Sequence, residues 1–262
     1  MEKGILKRSF EKMGADVNFG SPRRGEFNLD VVNRKFVVET SNDDILNELS
    51  ILNVDANDRH LLLLRKVPIK NRIGKTIDHN MIRYLLGHDE RDWFVAGVPD
   101  DSRASTVQQA KDALRPEMAT TSIKNKDKMK NRNKRKNKGF QRQGEWFFIP
   151  VTDTFTGKDI IHKNEPITRG RSKPHIVSEI VRKGGRTVYV NSVGNEISIR
   201  QYDILPGGQK FGWRQMVADA KVYGRGTMRH PDHKTLKLPG WHRIIPNTEN
   251  EASQMGTLTF YD

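Results

Sequence analysis

Apolar positions along the chain fall in short runs whose period changes from one segment to the next. "KFVVET" (35–40) and "HLLLLRK" (60–66) are short β-type runs, with the acid- and Asn-rich "SNDDILNEL" between them. "DHNMIRYLLG" (78–87) sets Met81, Ile82, Leu85 and Leu86 on one stripe, with Asp78 to cap and Gly87 at the left-handed C-terminal position. That spacing predicts a helix. "RDWFVAGVP" (91–99) reads as a buried strand, and Ser105 is placed to cap a helix over "STVQQAKDALRP" that must stop before Pro116. Further on, "GEWFFIPV" (144–151) reads as a strand with aromatics on both faces. "GRTVYVNSVGNEISIRQYDILPGG" (185–208) reads as a hairpin turning at Gly194 and Asn195. Two helices are expected in this second half. One lies over "SKPHIVSEIVRKGG" (172–185), the other over "GWRQMVADAKVYG" (212–224), with a stripe of Trp213, Met216, Val217 and Ala220.

From Lys124 to Lys138 the apolar pattern stops. "KNKDKMKNRNKRKNK" holds nine Lys or Arg and one acid, Asp127, and only Met129 could enter a core. Such a segment cannot offset its ordering entropy by burial, so it is expected to be a solvated linker or loop. The fold expectation is therefore α+β: an N-terminal mixed α/β domain over 1–119, a basic linker over 120–143, and a β-rich domain over 144–262, a meander or partly open barrel with two short helices. No solenoid repeat is present.

Charge narrows the partners. The 262-residue chain carries 46 Lys plus Arg against 32 Asp plus Glu, a formal net charge of +14, with only 35% hydrophobic residues. Such an excess favours polyanions. No apolar run approaches the ~20 residues of a membrane span, so no membrane partner is expected. "MEKGILKRSFEKMG" lacks the apolar core of a secretory signal. The absence of cysteine excludes disulfides, thiolate metal sites and cysteine nucleophiles, and fits a cytoplasmic setting.

The histidines pose the question of chemistry. "RHPDHKTLKLPGWHR" (229–243) holds three of the eight, His230, His233 and His242. Pro231 and Asp232 carry turn chemistry, and Leu238-Pro239-Gly240-Trp241 repeats the device, so a three-stranded meander is expected: "YGRGTMR", "HKTLKL", "WHRII". His230 and His233 would then flank one turn within ~7 Å, close enough to share an ion. His242 would lie across the second turn opposite Lys237, roughly 13 Å along the sheet from His233. Surface histidines beside a turn, a two-histidine metal or acid–base site, and a phosphate contact are the alternatives. A metal would need further ligands, with His175, Asp232 and Glu179 available in the chain.

"RQGEWFFIPV" (142–151) together with "HPDHKTLKLPGWHRI" (230–244) resembles a family of small bacterial proteins. Its members open with an Arg-Gln-Gly-acidic strand ending in Pro and close on a His-x-x-His turn and a Leu-Pro hairpin. The resemblance covers the C-terminal half and implies a shared β-rich module, with no function carried over. Those proteins have additional Gly-His and His-x-His positions in mid-chain where this sequence has "RSKPHIVSEI", a departure that weakens a metal centre.

Two basic features carry the leading function. The first is an arm of Lys128, Lys130, Arg132, Lys134, Arg135, Lys136, Lys138 and Arg142, suited to phosphates through counterion release. The strand behind it opens with Trp146, Phe147 and Phe148. Either both faces are covered and the rings pack in a core, the commoner case for an aromatic run, or one ring is exposed and could stack on an unpaired base. The second sets Arg169, Arg171 and Lys173 around Gly170, before a helix that Ser172 would cap and Pro174 begin, with His175 in its first turn. This would be a phosphate seat at a helix N-terminus. "GHDERDW" adds a polar knot of His88, Asp89, Glu90 and Asp92, read as a loop. The expectation is a non-catalytic nucleic-acid-binding protein, RNA favoured over DNA, without a cofactor, serving in a ribonucleoprotein, mobile-element or defence complex. One rival is a metal-dependent hydrolase or nuclease using His230 and His233 with one divalent metal. A second is an adaptor that docks an acidic protein.

Overall fold

The computed structural model describes residues 3–153, 155, 159–168 and 173–251. It corrects the α+β expectation: of the described residues, 47% are strand, in four sheets, and 20% are helical. Two compact units are present, and the chain passes from the first to the second at Phe147/Phe148, inside a strand, and returns to the first at Pro246. The segment 120–143 lies wholly within the first unit rather than between the two.

In the first unit, α1 (Lys3–Lys12) is followed by β1 (Val17–Gly20), β2 (Phe27–Val32) and β3 (Lys35–Thr40), a small sheet in the order β1-β3-β2. After the short α2 (Asp44–Asn47), β4 (Leu49–Asp55), β5 (His60–Lys70), β6 (Thr76–Asp89) and β7 (Asp92–Val98) form an antiparallel meander. The Leu61–Leu64 run explains itself here, because the sheet is covered on both faces. Leu61 and Leu63 face a core with Leu6, Phe10, Phe36 and Leu86, whereas Leu62 faces Leu85, Val98, Val107 and Ala110.

The helix expected over 78–87 is thus part of β6. A strand buried on two faces produces the pairs Met81–Ile82 and Leu85–Leu86 as readily as a helical stripe does. Pairing with β5 from His60↔Gly87 to Lys70↔Thr76 decides between them. The strand at 92–98 and the helix after residue 105 are present, α3 (Val107–Ala113) being capped by Thr106 in a capping box rather than by Ser105. α4 (Glu117–Lys126) follows Pro116, and β8 (Gln141–Gln143) turns at Gly144 into β9 (Trp146–Pro150). Thr248 Oγ1 donates to Ala113 O at 2.6 Å and fastens the returning chain to this unit.

The second unit has β10 (His162–Ile167), β11 (His175–Lys183), β12 (Arg186–Val190), β13 (Glu196–Ser198), α5 (Ile199–Asp203), β14 (Arg214–Ala218), β15 (Lys221–Arg229) and β16 (Leu236–Pro246). Its main sheet runs β10-β11-β15-β16-β9, and β13-β12-β14 make a second. Both helices expected here are strands. "HIVSEIV" is β-branched-rich and lies between β10 and β15, with Val177, Ile180 and Val181 fully buried. "RQMVADAKV" is β14 and β15 broken at Asp219, whose φ of 61° no helix contains. The turn at Gly194 is present, with φ 86°.

The second turn of the expected meander is absent. β16 continues through Leu238–Trp241 with a bulge, so Gly226 pairs with Leu238 and Gly224 with His242, and His242 does not face Lys237. Among the described residues, no helix is long and apolar enough to cross a membrane.

Candidate nucleic-acid interface and histidine turn

The basic segment is folded. Asp127, its one acid, ends α4 and accepts hydrogen bonds from Lys128 N at 2.7 Å, Asn131 Nδ2 at 2.9 Å and Lys138 N at 2.9 Å. These bonds, that from Lys138 N foremost, hold its carboxyl down to about 2. One carboxylate thereby joins both ends of the loop from Lys128 to Lys138. Asn137 closes it further, its Oδ1 accepting from Gly139 N and Phe140 N at 2.8 and 2.9 Å. Gly139 lies against the backbone of Ile123 in α4, and Ser122 Oγ donates to Gly139 O at 2.7 Å. Of the two alternatives, linker or loop, the segment is a loop inside the first unit, and local hydrogen bonds rather than apolar burial order it.

Arginine and lysine divide the labour within this loop. Arg132 Nε donates to both oxygens of Asp112 at 2.9 and 3.1 Å, and the buried Arg115 reaches the same carboxylate at 2.5 Å. Arg115 also donates to Asn133, whose amide in turn donates to Gln108. Arg135 pairs with Asp89 and, at 3.0 Å, with Glu90, while Arg142 lies 3.6 Å from Asp89. Burial first, and then the neighbouring Arg142, bring the Arg135 guanidinium down to about 10. The expected knot at 88–92 is therefore an anchor for two arginines, and His88 packs edge-on to Trp93. Planar guanidinium groups suit such paired, partly buried seats. Lys128, Lys130, Lys134, Lys136 and Lys138 remain exposed outside these ion pairs. Of the expected arm, Arg132, Arg135 and Arg142 hold the loop, and the five lysines form its surface.

Two other functional alternatives are not realised, and for the aromatic run the core packing weighed against base stacking is what the structure has. Trp146, Phe147 and Phe148 are all buried, so none is offered to a base. The phosphate seat loses its helix: residues 175–183 are strand, and Lys173 Nζ instead donates to both oxygens of Asp232, at 2.9 and 2.8 Å. Arg169 and Arg171 lie outside the described residues.

The same strand completes the histidine turn. Ile176 pairs with Arg229, so the next step of the register sets His175, the first residue of β11, opposite His230. The turn Pro231–Asp232 then folds His233 back, with His233 N donating to His230 O at 3.4 Å. Ring centroids are 4.2 Å apart for His175 and His230, 4.6 Å for His230 and His233, and 5.7 Å for His175 and His233. One ring nitrogen from each lies within 4.8 Å of the others. Asp232 N donates to His230 Nδ1 at 3.1 Å. His175 is buried, and burial, followed by the two neighbouring imidazoles, brings it down to about 3, so the ring is neutral near pH 7.

Sequence reasoning paired His230 with His233 and counted His175, with Asp232 and Glu179, among the further ligands available, but nothing in the spacing placed it there. The helix expected over 172–185 would have carried it away, whereas reading Ile176, Val177, Ile180 and Val181 as β-branched strand residues would have placed it at a strand end. His242 is elsewhere, its Nδ1 2.7 Å from Gly240 O. No family model, no curated protein and no solved structure matches the chain.

Proposed function

We propose that the protein binds nucleic acid through the Lys128–Lys138 loop, by contact with phosphates rather than by reading bases. The observation that carries this reading is the closed loop itself. Its single carboxylate is consumed as a fastener and its arginines are turned to Asp89, Glu90 and Asp112, which leaves five lysines exposed on an ordered backbone. Preordered cations spend less conformational entropy on binding a polyanion than a flexible tail does. The preference for RNA over DNA leans on rings that are buried, so support for the reading now comes from charge common to both.

The test is a salt titration of binding to single-stranded RNA, duplex RNA and duplex DNA. It compares the full chain with a variant carrying Gln at Lys128, Lys130, Lys134, Lys136 and Lys138. Each phosphate contact contributes about 0.9 to the logarithmic salt slope on duplex DNA and about 0.7 on single strands. With all five lysines engaged, the slope should fall by roughly 4 to 5 on the duplex. Unchanged affinity in the variant would overturn the reading. Equal affinity for a polyglutamate chain would overturn it in favour of an acidic protein partner.

A further inference from the structure

We infer that His175, His230 and His233 form a binding site for one divalent transition-metal ion of the zinc class, in an open three-imidazole arrangement within the second unit. The inference stands apart from nucleic-acid binding, which uses other residues. Two strands of one sheet end together, β11 at His175 and β15 at Arg229, and the four-residue turn after β15 supplies both remaining imidazoles. Their nitrogens already lie within 4.8 Å of one another. In a tetrahedral zinc site with bonds of about 2.0–2.1 Å, ligand nitrogens sit about 3.3 Å apart, so side-chain rotation alone has to close the gap.

The surroundings favour such a site over simple packing. Lys173 clasps both oxygens of Asp232, tying the turn to the residues that lead into β11, so the three rings are brought together before any ion arrives. Because Lys173 occupies that carboxylate, the donor set is purely imidazole, which suits zinc, copper, nickel and cobalt and is poor for magnesium or calcium. Ligation at His230 as a neutral ring gives up the hydrogen bond from Asp232 N, directly if Nδ1 binds the ion, or because the ring proton moves from Nε2 to Nδ1 if Nε2 binds it. Three protein ligands leave a fourth position for water or an anionic oxygen, the arrangement of open rather than closed zinc sites.

The experiment uses the full chain, stripped with chelator, reloaded with zinc and dialysed into metal-free buffer. One equivalent of zinc per chain is expected by elemental analysis, and cobalt in its place should show the intense visible bands of a four-coordinate ion. His233→Gln, at a half-buried position, and His175→Gln should each weaken zinc binding at least 100-fold. His162→Ala, in the same unit but outside the cluster, should leave it unchanged. Zinc should also raise the Tm of the unaltered chain and of the His162 variant, and leave that of the His233 variant where it was. The inference is overturned if less than a tenth of an equivalent remains after dialysis. It is equally overturned if folded His233→Gln retains the metal.

Discussion

Gly139 is the point where the basic loop meets the core, and replacing it tests whether the loop is built as described. A Cβ at this position would stand 2.7 Å from Ile123 N and 2.8 Å from its Cα, where ordinary contact begins near 3.4 Å. Both atoms are backbone of α4, and Ile123 is fully buried, so neither can step aside as a side chain would. The loop must lift by about 0.6 Å, and overpacking of this kind costs about 1–3 kcal/mol. Lifting also stretches the bond from Ser122 Oγ to Gly139 O, worth about 1 kcal/mol. Against this, alanine restricts the unfolded chain and returns about 0.4–1 kcal/mol. The balance for Gly139→Ala is a loss of about 2 kcal/mol, or about 4–8 °C in Tm for a unit of this size. Urea unfolding followed by circular dichroism measures it. Hydrogen exchange at Lys138 N, whose acceptor is Asp127, should accelerate in parallel. If Gly139→Ala is as stable as the parent within 0.3 kcal/mol (an order-of-magnitude threshold against the 2 expected), the loop does not pack on α4 and the reasoning fails.

Other predictions follow from single groups. Asp112→Asn strands the charge of Arg115, whose side chain is 3% exposed, and releases Arg132; a loss of about 3 kcal/mol is expected by chemical denaturation. Thr106→Ala should cost about 1 kcal/mol by removing the box in which Thr106 Oγ1 accepts from Gln109 N at 3.2 Å, and Ser105→Ala less than half as much. His60, buried opposite Gly87 and edge-on to Phe94, is held down to about 4, chiefly by burial and then by Lys111. Its folded value is depressed below 6.5, so the unfolded chain takes up a proton that the folded ring refuses. Stability should therefore fall as pH drops from about 6.5 to 4, by about 3 kcal/mol in all from this group. An NMR titration in which the His60 ring gains its proton near 6.5 would contradict that.

The division between Lys and Arg within one basic run has a structural logic that composition hides. Nine cations between Lys124 and Lys138 read as a uniform solvated stretch, yet Arg132 and Arg135 find carboxylates on other elements, at Asp112, Asp89 and Glu90. A planar fork makes two directed bonds to a carboxylate, whereas an ammonium is better hydrated and stays in water. The same run can then both anchor itself and present charge.

By itself the sequence determined the local events. The strands at 35–40, 60–66 and 92–98, the helix that stops before Pro116, the turn at Gly194 and the pairing of His230 with His233 across Pro231–Asp232 are all set by residues within a few positions of one another. Tertiary structure decided what local propensity leaves balanced. Helix and strand preferences differ by about 1 kcal/mol at most per residue, so "DHNMIRYLLG", "HIVSEIV" and "RQMVADAKV" followed the neighbouring strands they pair with. It also decided the histidine cluster, because the register of β11 on β15 sets His175 opposite His230, two positions far apart in the chain. Such a pairing depends on the alignment of whole strands, which no short stretch of sequence encodes.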